Sequence, residues 1–283
     1  MMKIPVEDNF EDVLQKAAAG LGQSVESLAA GTDLTRSDVK ALFAGNLNER
    51  HLRVLAGALR LNPNALLSMA RGEWYPVVPD VEGLECYSTP FPVPGYEAMA
   101  VNSYLVWNRR TCEAIAFDTG SRADMMLADI RQHGLTLKAL FLTHTHRDHV
   151  AAYDSLLEAT EYPTSYAPEA EPFGTSNPVK HGDRWDIAGF NIEARLTCGH
   201  SPGGMTYVLD GLARPVALVG DSLFCMSQGG APRAYAQALE NNRKQILGLA
   251  DDTVLCPGHG PLTTVAYEKT HNPFFANAPD ETD

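Results

Sequence analysis

Between residues 8 and 72 the apolar positions recur at three- and four-residue steps, as at Leu52, Leu55, Ala56 and Leu59, which is the spacing of one helix face. "SVESLAAG" opens with Ser24, a suitable N-cap. It places Glu26 where the helix dipole favours a negative charge and starts an apolar face at Leu28 and Ala29. "LTRSDVKALFAG" and "ERHLRVLAGALRLNPNALLSMARG" continue the pattern, and Gly31, Gly45 and Gly72 stand where these helices should stop. "WYPVVPDVEG" then brings three breakers into ten residues. A boundary is therefore expected within 73–82, between a helical domain over 1–75 and a second domain over 76–283.

From about residue 84 the period shortens. "NSYLVW", "EAIAFDTG", "KALFLTH", "FNIEARLTCGH", "MTYVLDG", "PVALVGD" and "DTVLCPGHG" each read as a strand, several ending at a polar residue or glycine. Helices are expected over 122–133, 149–159 and 233–249. Strands alternating with helices, with antiparallel-looking strands in the middle, predict a mixed α/β protein of stacked layers. The closing "NAPDETD" reads as a frayed terminus.

Composition narrows the class. The 283 residues allow one large domain, or a large and a small one. No apolar run reaches the roughly 18 residues of a membrane span, and "MMKIPVEDNFEDVLQK" lacks the apolar core of a signal peptide. The five cysteines are odd in number and form no CxxC pair, which suits free thiols in a reducing compartment. A cytoplasmic protein without a membrane partner is expected. The net charge of −13 is uneven: residues 1–75 hold eight of the 22 basic and nine of the 35 acidic residues, so most of the excess lies beyond them. An acidic surface repels phosphate backbones and makes the larger part a poor nucleic-acid binder.

Three of the nine histidines fall within "THTHRDH", directly behind an apolar run. His144, His146, Asp148 and His149 follow the spacing H-x-H-x-D-H, and neutral imidazoles with a carboxylate are ligands that a borderline metal accepts. His200 in "TCGHSPGG", Asp221 in "LVGDSLF" and His259 in "CPGHGP" repeat the setting: the end of an apolar run, in a turn containing glycine. A lone histidine is usually a surface or satisfied core residue. Four motifs at one kind of topological location point to a metal site.

"THTHRDH", "GHSPGG", "GDSLF" and "GHGP", with "DTG" at Asp118 to Gly120, resemble the ordered motifs of the metallo-β-lactamase fold hydrolases, in the flavour of the glyoxalase II-like (hydroxyacylglutathione hydrolase) branch. The resemblance spans roughly residues 84–275. It implies an α/β fold of the αββα sandwich type, here carrying a small N-terminal all-α domain. It also implies two divalent metal ions, one held by His144, His146 and His200, the other by Asp148, His149 and His259, with Asp221 bridging. Zinc suits this set, and iron or manganese is compatible with it. Water shared by two cations ionises near neutral pH and attacks a carbonyl, with Asp148 ligating and orienting it or relaying a proton. The expected substrate is a small-molecule thioester.

Two departures stand out. Only about two dozen residues follow His259, where glyoxalase II enzymes carry a helical glutathione-binding region, and "DHVAAY" lacks the glycine pair often found there. Arg233, Tyr235 and Tyr153 are the candidate substrate contacts, with Arg147, Arg243, Lys244 and Lys269 as further cations. Cys225, four residues beyond Asp221, reads as packing. The alternative in the same fold is a persulfide dioxygenase-like enzyme with one iron on His144, His200 and Asp221.

"QSVESLAAGTDLTRSDVKALFAGNLNERHLRVLAGALRLNPNALL" resembles the helix-turn-helix domains of phage-repressor type. Such a domain lays its second helix, here starting near Thr35 and Arg36, in the DNA major groove, implying a regulator with a metabolite-sensing hydrolase domain. That helix carries only Arg36 and Lys40, offset by Asp38. The reading adopted is a helical bundle that makes homodimer contacts or covers the active-site edge.

Overall fold

The computed structural model describes residues 4–91 and 99–276; "NAPDETD" lies outside them. Five helices come first: α1 (Phe10–Gly20), α2 (Val25–Ala30), α3 (Arg36–Phe43), α4 (Glu49–Ala58) and α5 (Pro63–Ala70). Their starts follow capping chemistry. The Ser24 hydroxyl accepts the Ser27 N–H ahead of α2, and the Thr35 hydroxyl accepts the Asp38 N–H ahead of α3. No helix of the described residues is long and apolar enough to cross a membrane.

Two six-stranded sheets follow. The first runs in spatial order β1 (Leu84–Pro90), β2 (Ala100–Asn108), β3 (Glu113–Phe117), β4 (Thr136–Phe141), β5 (Thr164–Pro168) and β6 (Asn177–Val179). Its first three strands pair antiparallel and its last three are parallel additions. The second is formed by β7 (Arg184–Ile187), β8 (Phe190–Leu196), β9 (Met205–Asp210), β10 (Val216–Gly220), β11 (Val254–Pro257) and β12 (Thr263–Thr264), all antiparallel except the β10/β11 pair.

Alternation along the strands sets the layers. Ile115 and Phe117 of β3 face inward with Phe141, Tyr207, Leu209 and Leu218, forming the core between the sheets. Ala114 and Ala116 face outward beneath Met126 and Ile130 of α6 (Asp124–Gln132) and Leu156 and Leu157 of α8 (Tyr153–Ala159). On the far side, Ala217, Val219 and Leu255 share one apolar cluster with Tyr235 of α9 (Tyr235–Asn241) and with Val13, Leu14, Leu52 and Leu66 of the N-terminal helices. The result is an αββα sandwich whose second outer layer the N-terminal helices complete.

Two expected helices differ in detail. The one over 149–159 splits into α7 (Arg147–Val150) and α8 because the His149 carbonyl accepts from the Thr119 N–H (2.8 Å) and hydroxyl (2.9 Å). Thr119 thus removes that carbonyl from the helical ladder and pins His149 beside β3. The helix over 233–249 ends in a π-helical turn, Asn242–Ile246, where the buried Asn242 amide donates to the Ser222 carbonyl at 2.7 Å. Among the described residues the last helix, α10 (Val265–His271), follows β12.

Candidate metal centre

The carboxyl ends of five strands meet at one edge of the sandwich. Asp118 follows β3, His144 to His149 follow β4, His200 follows β8, Asp221 follows β10 and His259 follows β11. All seven residues singled out from the sequence converge there in two groups. His144, His146, His200 and Asp221 form one, Asp148, His149 and His259 the other, and the ligand atoms within each lie no more than 4.8 Å apart.

In the first group His146 Nδ1 lies 3.1 Å from His144 Nε2 and 3.0 Å from His200 Nε2, and Asp221 Oδ2 lies 3.3 Å from His200 Nε2 and 3.8 Å from His144 Nε2. A tetrahedron with bonds of about 2.0–2.1 Å has edges of about 3.3 Å, so these separations fit a common cation. In the second group His149 Nε2 lies 3.5 Å and His259 Nε2 3.3 Å from Asp148 Oδ2. Asp221 reaches this group as well, through Oδ1 to His149 at 3.3 Å and through Oδ2 to His259 at 3.4 Å.

Two observations indicate that the space takes a positive group. His149 Nε2 and Asp221 Oδ1 are buried with no hydrogen-bond partner among the described residues, which is costly unless a cation satisfies them. The second is protonation. Burial alone would lower the His149 pKa, but the Asp221 and Asp118 carboxylates outweigh it and push it up to about 10. Burial acts likewise on His259, and Asp221 and Asp148 raise it well above the usual imidazole range. Burial would raise the Asp221 carboxyl, yet the His259 and His149 charges hold it well below the ordinary carboxylate range. Without a metal, protons supply the positive charge that these carboxylates demand.

The surrounding contacts fix the donors. His149 Nδ1–H donates to Asp118 Oδ2 at 2.8 Å, and the same carboxylate accepts the Thr143 N–H (2.7 Å) and hydroxyl (2.8 Å). His259 Nδ1 donates to the Ala100 carbonyl at 2.7 Å, and His200 Nδ1 donates to the Gly230 carbonyl at 3.1 Å. Each bond turns the other ring nitrogen toward the centre. Gly258 leaves room: a Cβ there would stand 2.1 Å from Asp221 Oδ1 and 2.6 Å from His149 Cε1.

Sequence reasoning missed two groups. Glu171, in the irregular stretch between β5 and β6, accepts the Thr145 N–H at 3.0 Å, the Thr145 hydroxyl at 3.1 Å and the Gly203 N–H at 2.5 Å. It thereby ties the His144–His146 loop to the His200–Gly204 loop. Glu7, ahead of α1, places Oε2 3.9 Å from His259 Nδ1. Neither residue belongs to a local motif, so only the fold reveals them.

None of the three candidate substrate contacts lines the narrow space packed against His144, His200 and Asp221. Tyr153 is buried, with its hydroxyl shared between the Ser165 (2.8 Å) and Ser176 (2.9 Å) hydroxyls. Tyr235 packs against Gly20 of α1, and Arg233 is exposed, as is Arg147. Lys244 and Lys269 pair with Glu240 and Asp251 on the surface. Arg243 donates to the Phe274 carbonyl at 3.3 Å. Cys225 is fully buried, as its packing reading requires.

Comparison with known proteins bears on this geometry. The sequence profile described as the metallo-beta-lactamase superfamily matches residues 96–259. Hydroxyacylglutathione hydrolase GloC of Haemophilus influenzae is 33% identical over 205 residues, covering 63% of this chain and 94% of the relative. ETHE1 from Myxococcus xanthus superposes with a TM-score of 0.56 at 27% identity, covering 62% of this chain and 80% of that one. The B3 metallo-beta-lactamase BLEG-1 superposes with a TM-score of 0.55 at 27% identity, covering 68% of this chain and all of the other.

Proposed function

The chain belongs to the metallo-beta-lactamase superfamily, and from that premise we propose that it is a dinuclear metal-dependent hydrolase that cleaves a thioester of the hydroxyacylglutathione kind. The observation that carries this reading is Asp221, one buried carboxylate facing both groups of imidazoles. When bound, the two cations supply Lewis acidity and bring a water pKa toward neutrality.

The chain's own residues do the rest. Asp221 and Asp148 balance the positive charge, and Asp118 holds the His149 ring in one tautomer. Burial works against the Asp148 charge, but its contact with His259 and the His149 charge keep the carboxyl below its usual range. Asp148 is therefore an ionised acceptor near neutral pH, able to take a proton at Oδ2. The segment ahead of α1 covers this edge, with Glu7 beside His259. Asp8 accepts the Ser227 hydroxyl and pairs with Lys16, both at 2.5 Å, while Lys16 donates to the Gln228 carbonyl at 2.9 Å. This supports the role of the N-terminal helices as a cover for the active-site edge.

Zinc suits the donor set best. The mononuclear iron reading uses only His144, His200 and Asp221, leaving the buried group of Asp148, His149 and His259 without a task. A DNA-binding role rests on helix order alone; a flat mobility-shift titration at low salt would remove it.

The test is cleavage of S-D-lactoylglutathione by the metal-replete protein, following loss of the thioester, with Asp148→Asn as control. The expected result is turnover that disappears in the control. No turnover in the metal-replete parent would sink the hydroxyacylglutathione assignment and turn the search to other thioesters, lactones and persulfides.

A further inference from the structure

Away from the metal centre, a cavity of about 300 Å³ opens between the N-terminal helices and α9. Leu21 and Arg60, just past α1 and α4, line one side; Tyr235, Leu239 and Arg243 line the other, and Phe274 closes it. Among the described residues, no aspartate or glutamate lines the cavity. Its side-chain polar groups are two guanidiniums, which only donate, and a phenol. Arg60 and Arg243 are exposed while Tyr235 and Phe274 are buried, which gives a cationic rim over an apolar pit.

Neither arginine makes an ion pair with a described residue. Arg243 donates once, to the Phe274 carbonyl, and lies over the Phe275 ring. Two guanidiniums without a carboxylate partner among the described residues are nonetheless a concentrated positive feature on a chain with 35 acidic and 22 basic residues. Both charges reach the Tyr235 hydroxyl, pulling its pKa down while burial pushes it up to about 12. The backbone at Arg60 adds an independent sign. Its φ is 58°, in the left-handed region just past a helix, where glycine is the default. Its side chain makes no hydrogen bond within the described residues that would account for an arginine there.

We propose that this cavity is a second binding site, for a small anion with an apolar body, whose head lies between Arg60 and Arg243 and whose tail enters toward Leu21, Leu239 and Phe274. The forked donors of two arginines suit a carboxylate or a phosphate monoester, and the volume, at the small end of ligand pockets, suits a short tail. The occupant would touch α9, whose other face supports the metal centre. Ala238 lies so close to Gly199 that a Cβ there would come within 2.5 Å, and the Asn241 amide donates to the Cys198 carbonyl at 2.7 Å. Because both halves of the chain line the cavity, the ligand fastens the N-terminal helices to the sandwich.

Calorimetric titration of the full-length, metal-loaded protein with octanoate and octyl phosphate, with 1-octanol as the neutral comparison, tests this. At least one anion should bind saturably, about ten-fold or more tighter than octanol, and raise the Tm. Whichever head binds tighter identifies the ligand class. Arg60→Gly and Arg243→Gln should each weaken that binding by about ten-fold or more. Arg60→Gly relieves the left-handed backbone, so its ligand-free Tm should equal or exceed the parent's, separating loss of ligand from loss of fold. Three results would each overturn the proposal: equal affinity for octanol, no saturable binding of either anion, or anion binding indifferent to both substitutions, as at the metals.

Discussion

Glu171 offers a way to loosen the centre without touching a ligand. In Glu171→Ala the Thr145 N–H, the Thr145 hydroxyl and the Gly203 N–H all lose a carboxylate acceptor. A hydrogen bond to a charged group contributes about 1.5–3 kcal/mol net. Glu171 is only half-buried, so water replaces part of each bond and the combined loss should be about 2–4 kcal/mol of stability. The same change frees two loops that carry three imidazoles, and loss of such supporting contacts typically weakens metal binding about 10- to 100-fold. Competition against a chromophoric chelator measures the affinity, and thermal unfolding of the metal-free protein measures the stability. Burial would raise the Glu171 carboxyl, but the neighbouring Ser201 hydroxyl and the Gly203 and Thr145 donors hold it below its ordinary value of 4.5. Its contribution is therefore present above that pH and lost as pH falls through the lower folded value, so parent and variant should converge on acidification. The control is Glu169→Gln, an exposed partner of Lys180, which should leave affinity unchanged. Parent-like metal affinity in Glu171→Ala would refute the reasoning.

Three further outcomes follow from the same contacts. Asp221→Ala should abolish hydrolysis and lower bound metal, whereas Cys225→Ala, at a fully buried thiol, should do neither; full activity in the aspartate variant would be fatal to the bridging role. Gly20→Ala gains about 1 kcal/mol of helix propensity, yet its Cβ would stand 2.2 Å from the Tyr235 ring, so a net loss of about 1–3 kcal/mol is expected in denaturant unfolding. A gain in stability would contradict the close docking of α1. In the metal-free protein His149 titrates at about 10, against an ordinary value of 6.5. The stability it contributes is complete below 6.5 and is lost as pH rises through about 10. Because a ligating imidazole must be neutral, metal binding near pH 7.5 should release at least about one proton. Calorimetry in two buffers of different protonation enthalpy reads that number, and zero release would contradict the account.

The convergence of seven side chains was legible because they fall in four short motifs, each at the end of an apolar strand, so local sequence already recorded the sheet edge. The layers were legible from the alternation of strands with helices along the chain. What escaped depends on contacts distant in the chain. β6 is three residues long with only Val179 buried, too short to show a period. The break between α7 and α8 comes from Thr119, about thirty residues away. Glu171 lies in a stretch of turns with no pattern at all, and its task is visible only when two loops are brought together. The setting of Tyr235 is likewise not local. Its place near "GDSLF" suggested a substrate contact, but its ring packs on a helix more than two hundred residues earlier in the chain.

The most direct test of the central claim is the metal content of the purified protein, measured as ions per chain alongside the variant His259→Ala. Two cations held by adjoining groups require about two ions per chain in the parent and about one in the variant, since the first group of His144, His146, His200 and Asp221 stays complete. One ion per chain in both proteins would contradict a dinuclear centre, and if that ion were iron it would favour the mononuclear alternative.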